Sequence, residues 1–414
     1  MPKRPPPADP HPRPSDGKPG AAPSQPRDGS PAVAAAPPPA QPAEPRPILV
    51  LARDPAVIRA AQGAVRATGT EAPARPVGSA REALAAVLAA DQPPRLLILE
   101  HGLAEDTEGL EAMLADPFGP TRAMLLHREH AEALDPRAVL AALRSQIRPA
   151  AEAGDAGTLR RGLEQDRVSV RYQPMVRLRD GAAVAAEALA RWTQPPKLLA
   201  PDTFVPLVEQ AGLGLALSMA VARRAAAELA GFLRRGRPLR YVSVNLPLAV
   251  LEEAGTVGWL RQILRDNGLR PHHLALELTE TTPVHDPAPL RRALLRLRQA
   301  GFAVLIDDLC RDDEREALLH LPFSGVKLDR SFTTALPASA RARRSAQRVV
   351  ALARRHGMRV VAEGISTQAE WRAAAALSVD LAQGYAVARP MPAAVLPEWR
   401  HGWTPPALAH PQAR

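Results

Sequence analysis

Short apolar runs, separated by Ala- and Leu-rich amphipathic stretches, recur along the chain from Pro47 onward. In the first part ILVL (Ile48–Leu51), LLIL (Leu96–Leu99) and AMLL (Ala123–Leu126) read as strands buried on both faces, and Pro55 to Ala67, Ser79 to Ala90 and Pro136 to Gln146 as helices. Strands that alternate with helices predict a parallel sheet covered on both faces. After Thr158 the alternation restarts with a longer repeat. The expected strands are Val168–Pro174, Ala183–Leu189, Tyr241–Leu246, Leu274–Thr279, Ala303–Asp307, Gly325–Leu328, Met358–Gly364 and a short one ending near Gln383. Helical stretches such as Pro206–Leu233, Pro289–Ala300 and Ala340–Arg355 lie between them. Eight strands with their helices in about 250 residues is the size of a (β/α)8 barrel.

Composition refines this picture. Residues 1–46 are Pro- and Ala-rich and too poor in apolar surface to fold, so a disordered tail is expected. The apolar stretch Leu213 to Ala230 is interrupted by Arg223, Arg224 and Glu228, which argues against a membrane span. The single Cys310 excludes an internal disulfide, and no secretory leader is visible, so a cytoplasmic protein is expected. A net charge of +10 could indicate nucleic acid, but the arginines are dispersed and only 3% of residues are aromatic, leaving few platforms for bases. The chain uses arginine almost everywhere for positive charge. Its only lysines are Lys3, Lys18, Lys197 and Lys327, and the last lies inside an apolar strand, which suggests a role for a compact ammonium.

The candidate chemistry lies at the ends of the strands. In a barrel of this kind, residues at the C-terminal ends of the strands share one mouth whatever their separation in sequence. Those ends read Glu187, Asn245, Glu277, Asp307 with Asp308, Lys327, Glu363 and Gln383. Any one alone reads equally well as a cap or a mouth salt bridge. Five carboxylates gathered at one end would repel strongly, and divalent cations would relieve that repulsion. A donor set of oxygens, with no Cys and no strand-end His, points to Mg²⁺ or Mn²⁺ rather than Zn²⁺.

Glu187-Ala188-Leu189 followed by Arg191-Trp192 resembles the signature of EAL domains, the phosphodiesterases of the bacterial messenger cyclic di-GMP. The likeness runs in order through Tyr172-Gln173-Pro174, Val244-Asn245-Leu246, Glu277-Leu278-Thr279-Glu280, Asp307-Asp308, Lys327 to Phe332, Ala362-Glu363-Gly364, Gln383-Gly384-Tyr385 and Arg389 to Pro392. It implies a modified TIM barrel with one antiparallel strand, over about 157–405. By resemblance, Glu187, Asn245, Glu277 and Asp307 ligate one cation, with Asp307 and Asp308 shared towards a second. Glu363 activates water, and Lys327 stabilises developing charge. Gln173, Arg191, Asp329 and Gln383 contact substrate, and Glu280 supports the loop that follows the Asp pair. The implied reaction is hydrolysis of cyclic di-GMP to pGpG, in a family that commonly works as dimers.

The chain departs from that family in places. Active members carry a loop of the type Phe-Gly-x-Gly-Tyr-Ser-Ser after the Asp pair. Here Leu309-Cys310-Arg311-Asp312-Asp313-Glu314-Arg315-Glu316 holds no glycine and is a residue shorter, with Asp313 and Glu316 spaced as a capping box. Ser366 stands where the family has Glu. The part before the barrel, 47–150, resembles a receiver domain of response regulators in order and size. Its phosphorylation chemistry is missing: Ala52-Arg53-Asp54 replaces the acidic pair, Glu100-His101 the phosphate-accepting Asp, His127 the Ser or Thr, and Arg148-Pro149 the Lys-Pro. A pseudo-receiver is expected, serving to dock a signalling partner or to dimerise. The two readings of function are therefore a metal-dependent phosphodiesterase and a non-catalytic cyclic di-GMP receptor acting through a protein partner.

Overall fold

The computed structural model describes residues 45–88, 93–100, 103, 108–116, 119–126, 134–144, 156–194, 197–199, 201–235, 239–279, 284–311 and 313–406. The tail up to residue 44, His101, His127, Arg148-Pro149, Glu280 and Asp312 lie outside the described residues, and so do the expectations that rest on them. The described residues form one compact unit.

The chain begins with β1 (Ile48–Leu51), α1 (Pro55–Ala67), β2 (Ala74–Val77), α2 (Ala80–Leu88), β3 (Leu96–Glu100), α3 (Glu108–Ala115), β4 (Arg122–Leu126) and α4 (Pro136–Arg144). The four strands are parallel in the order β2-β1-β3-β4. Strand alternation feeds two cores. Ile48, Val50, Leu96 and Ile98 pack with Val57 and Ala61 of α1 and Val139 and Leu143 of α4. Leu49, Leu51, Leu97 and Leu99 face the other way, towards α2 and α3. Two elements here were not expected from sequence. Strand β2 reads ARPV with Arg75 and Pro76 exposed, a pattern tolerated only at a sheet edge, where it lies. Helix α3 is only 8 residues long. Where a receiver would carry its phosphate-accepting Asp, Glu100 accepts hydrogen bonds from the N–H groups of Arg53 (2.8 Å) and Asp54 (3.2 Å).

The barrel follows, with α5 (Ala156–Glu164), β5 (Val168–Arg177), β6 (Ala183–Gln194), β7 (Lys197–Leu199), α6 (Pro201–Gln210), α7 (Gly214–Arg234) and β8 (Tyr241–Leu246). Next come α8 (Leu248–Glu252), α9 (Thr256–Asp266), β9 (Leu274–Leu278), α10 (Pro287–Gln299), β10 (Ala303–Leu309) and β11 (Gly325–Leu328). It ends with α11 (Arg330–Thr333), α12 (Ala340–Arg355), β12 (Arg359–Ala362), α13 (Gln368–Ala376), β13 (Leu381–Ala382) and α14 (Leu396–Gly402). Eight strands close through the β5–β6 pairing, and β7 adds to the outer edge of β6. Strand β5 runs antiparallel to both its neighbours, β6 and β13, whereas the other barrel pairs are parallel. The single helix expected over Pro206–Leu233 is two, because Gly212 takes φ +68° and ends α6 before α7 begins. The helical pattern after the Asp pair is a 3-10 helix, Glu314–His320, capped by Asp313, whose carboxylate accepts from the Arg315 N–H. Among the described residues, no helix is long and apolar enough to cross a membrane.

The α2–α3 face of the first sheet shares one continuous apolar cluster with the barrel, including Leu396 and Trp399 of α14. Polar contacts fix the seam. Glu398 accepts from the Gly109 N–H at 2.7 Å, and the Arg171 guanidinium of β5 is bidentate to Asp116, whose side chain is 1% exposed. Breaking such a pair leaves a buried charge, so Asp116→Ala should cost about 3 kcal/mol in urea unfolding. Joint replacement, Asp116→Leu with Arg171→Met, should recover most of that loss. A cost for the single variant below about 0.5 kcal/mol would mean that the pair behaves as a solvent-exposed one.

Candidate metal centre at the barrel mouth

The interior of the barrel explains why the polar residues gather. Met175, Val184, Ala185, Ala275, Leu305, Val361 and Leu381 form a separate apolar cluster inside it. Residues two apart on a strand share a face. One such step from Ala185, Ala275, Leu305, Val361 and Leu381 towards the C-terminal mouth reaches Glu187, Glu277, Asp307, Glu363 and Gln383. In the antiparallel β5 the step runs backward, from Met175 to Gln173, and Gln173 is accordingly paired in register with Glu187.

At the centre stands Lys327, 1% exposed. Its Nζ lies 2.6 Å from Glu363 Oε1, 2.7 Å from Asp307 Oδ1, 2.9 Å from Glu277 Oε2 and 3.1 Å from Glu187 Oε2. Glu187 is the most heavily supported carboxylate. It also accepts from Asn245 Nδ2 at 2.9 Å and from Gln383 Nε2 at 2.7 Å. Gln383 Nε2 donates as well to Gln173 Oε1 at 3.1 Å, and Gln173 Nε2 to the Ala388 carbonyl at 3.1 Å.

One ammonium cannot compensate four carboxylates, and the electrostatics divide accordingly. Burial alone would push the Lys327 ammonium down, but Asp307, Glu187, Glu277 and Glu363 hold it well above its ordinary value. Burial also opposes ionisation of Glu187, yet Lys327 and the donors from Gln383 and Asn245 bring it below the ordinary range. Glu277 and Glu363 remain well above that range through burial, despite Lys327 and with neighbouring carboxylates adding to the rise. Burial raises Asp307 to about 7.

The Asp307 value has a consequence for chelator-treated protein. An unfolded Asp ionises near about 3.9, so the folded chain binds the extra proton across the window from there to about 7. The stability of the protein relative to Asp307→Asn should therefore fall as pH rises from about 4 to about 7 and then level off. Urea unfolding in EDTA at several pH values checks this, and a relative stability that rises over that window would contradict it.

Among the described residues, two triplets of carboxylates bring ligand atoms within 4.8 Å of one another: Glu187, Glu277 and Asp307, and Asp307, Asp308 and Glu363. Asp307 belongs to both. Asn245 Oδ1 and Glu277 Oε1 are buried acceptors with no hydrogen-bond donor among the described residues. Buried oxygens of this kind are costly unless bound, so the donor set fits hard divalent cations. Asp308 takes φ +46°, a left-handed conformation that Asp tolerates better than most residues, within a β-bulge between Ile306 and Leu309. The bulge is what lets two adjacent acids serve one centre. Gly384 is constrained too, since a Cβ there would lie 2.3 Å from the Ile365 nitrogen.

A cavity of about 310 Å³ opens over this centre and is lined by Gln173, Asp308, Asp329, Glu363, Ser366 and Gln383 among others. Asn245, Glu277 and Arg191 do not line it. Asn245 and Glu277 connect to it through Glu187 and Lys327. Arg191 lies four residues beyond Glu187 on the same strand and donates to the Ala190 carbonyl at 2.8 Å. Burial lowers its pKa, and the like charge of Arg171 adds to this. Asp329 caps α11 through the Ser331 N–H at 2.7 Å.

Sequence reasoning missed several supports. Glu370 accepts from the Ser366 N–H (2.7 Å), the Ser366 hydroxyl (3.0 Å) and the Thr367 N–H (3.0 Å), and so holds the segment after Glu363. The Thr367-x-x-Glu370 spacing of a capping box was a legible signal for it. Arg389 stacks 4.0 Å over the Tyr385 ring at the mouth. Arg315, beside the Asp pair, carried no signal in a chain so rich in arginine.

Residues 156–390 match the family model of the EAL domain. The chain is 36% identical over 243 residues to the cyclic di-GMP phosphodiesterase NbdA of Pseudomonas aeruginosa, covering 58% of this chain and 31% of that protein. It is 35% identical over 234 residues to the cyclic di-GMP phosphodiesterase PA2567 of the same organism, covering 56% of this chain and 39% of that protein. The chain thus spans only about a third of the length of these curated relatives. Among solved structures, the PaMucR phosphodiesterase in complex with c-di-GMP superposes with a TM-score of 0.54 at 33% identity, covering 58% of this chain and 98% of that one.

Proposed function

Since the chain belongs to the EAL-domain family, we propose that it hydrolyses cyclic di-GMP to the linear dinucleotide pGpG. The observation that carries this reading is the pair of carboxylate triplets sharing Asp307 around one buried lysine. Glu187, Asn245, Glu277 and Asp307 would hold one divalent cation, Mg²⁺ or Mn²⁺, and Asp307 with Asp308 a second. Such cations would supply Lewis acidity at the phosphodiester and make a water acidic enough to lose a proton near neutral pH.

The chain's own groups do the rest. Glu363, held above the ordinary carboxylate range chiefly by burial, is suited to take the proton of the attacking water. Water oxygen bonds to phosphorus as its proton passes to Glu363, one ester bond to a ribose oxygen breaks, and that oxygen takes a proton from solvent water while Glu363 returns its own to solvent. Lys327 keeps its charge and can stabilise the negative charge that builds during attack. Gln173, Gln383 and Asp329 orient the dinucleotide in the cavity, and Arg191, which does not line that cavity, would turn its planar fork from the Ala190 carbonyl to reach a phosphate oxygen. The 47–150 part serves as a pseudo-receiver that docks a partner or a second copy, in a cytoplasmic setting.

The competing reading, a cyclic di-GMP receptor without turnover, draws its support from the glycine-free loop after Asp308. Incubation with cyclic di-GMP and Mg²⁺ or Mn²⁺, following both binding and product, separates the two. Hydrolysis is expected to yield pGpG and to stop in EDTA. Binding without product in either metal would overturn hydrolysis in favour of the receptor.

A further inference from the structure

The loop that replaces the glycine-rich segment places a guanidinium against the backbone of the Asp pair. Arg315 Nη1 donates to the Asp307 carbonyl at 2.9 Å, and Nη2 to the Asp308 carbonyl at 2.6 Å. The same side chain is fixed from behind by Asp313, which receives Arg315 Nε at 3.2 Å and Nη2 at 2.8 Å. Asp313 is itself anchored by the N–H groups of Arg315 at 2.8 Å and Cys310 at 3.2 Å. Both side chains are largely buried, 17% and 13% exposed.

We infer that Arg315 is a positioning residue that holds Asp307 and Asp308 in their metal-binding geometry, an inference that rests on the cation-holding role proposed for these two carboxylates. The physical need is specific. The bulge interrupts the regular β10–β11 pairing between Ile306 and Leu309, so the Asp307 and Asp308 carbonyls need donors from elsewhere. Asp308 at φ +46° is strained and persists only if its surroundings over-determine it. Arg315 donates to both carbonyls at once through a planar fork that is already oriented by Asp313. A lysine has a single nitrogen and cannot reproduce that three-point clamp. Once the clamp is lost, the bulge relaxes, Asp308 returns towards negative φ, and its carboxylate leaves the triplet it forms with Asp307 and Glu363. The clamp thus compensates for the absence of glycine in the loop.

The test measures Mn²⁺ affinity of the full chain by electron paramagnetic resonance of free Mn²⁺, without nucleotide, for the parent protein, Arg315→Ala, Arg315→Lys and Arg315→Gln. Circular dichroism confirms folding, and Arg315→Gln carries the comparison if the alanine variant does not fold. Mn²⁺ affinity should fall about 10- to 100-fold in all three variants. In parallel turnover assays, kcat should fall with KM for cyclic di-GMP little changed. A variant affinity within twofold of the parent, or a lysine variant that restores it fully, would overturn the inference, as would a parent that binds no Mn²⁺. A parent that binds Mn²⁺ but yields no pGpG defeats the hydrolysis reading alone, and the affinity ratio still decides the role of Arg315.

Discussion

Replacing Lys327 with methionine should lower turnover of cyclic di-GMP about 10²–10³-fold, the loss typical of removing one preorganised donor to a charged transition state. The same change should cost chelator-treated protein about 3–5 kcal/mol of stability, because it strips away the ammonium that four buried carboxylates share. Added Mg²⁺ or Mn²⁺ should restore part of the stability and little of the turnover, since the cations can neutralise the carboxylates but not replace the ammonium. Arginine should not rescue either property. Its planar fork is larger than an ammonium and cannot point at Glu187, Glu277, Asp307 and Glu363 at once. Urea unfolding with and without metal, together with product formation, checks these outcomes. A methionine variant that keeps full turnover would remove Lys327 from the chemistry.

Glu187→Gln is expected to be nearly as severe for activity and far milder for stability. The glutamine keeps the shape: its one oxygen can still accept from Gln383 and Lys327, and its NH2 can donate to Asn245 Oδ1 once that amide turns over, so most of the local network survives. What it removes is one negative charge from the first triplet, at the point where Asn245, Gln383 and Lys327 meet. Loss of an outer partner of a metal site commonly costs 10- to 100-fold, and loss of a direct ligand should cost at least about 100-fold in turnover and in Mn²⁺ affinity. Equal loss in both, with unchanged unfolding in EDTA, is the expected pattern. Lost turnover with intact Mn²⁺ affinity would instead place Glu187 outside the metal ligands.

Much of the barrel and its mouth could be read before the structure, for a physical reason. Strands buried on both faces are written as apolar runs, so an acid or a lysine at their ends is conspicuous, as at Asp307, Glu363 and Lys327. The boundaries of β8, β11 and α12 agree with the residues expected. Features on surfaces and edges were hidden. Strand β2 has the sequence of a turn because an edge strand may carry Arg and Pro. The break between α6 and α7 rests on one glycine angle inside an otherwise continuous helical pattern. Strands β5 and β6 run past their expected ends, which puts Arg191 in a strand rather than a loop. Asp116 and Arg171 stand 55 residues apart and meet only because the α2–α3 face packs on the barrel. The glycine-free loop could be seen as a departure, but the clamp made by Arg315 depended on a bulge that sequence does not reveal.

A pair of divalent cations at the barrel mouth is tested most directly by anomalous diffraction at the manganese edge from crystals grown with Mn²⁺. Two peaks are predicted, one contacted by Glu187, Asn245, Glu277 and Asp307 and the other by Asp307 and Asp308, with Lys327 still buried beside them. A map with no peak at Asp307, or with cations bound only elsewhere on the chain, would contradict a metal centre at these carboxylates.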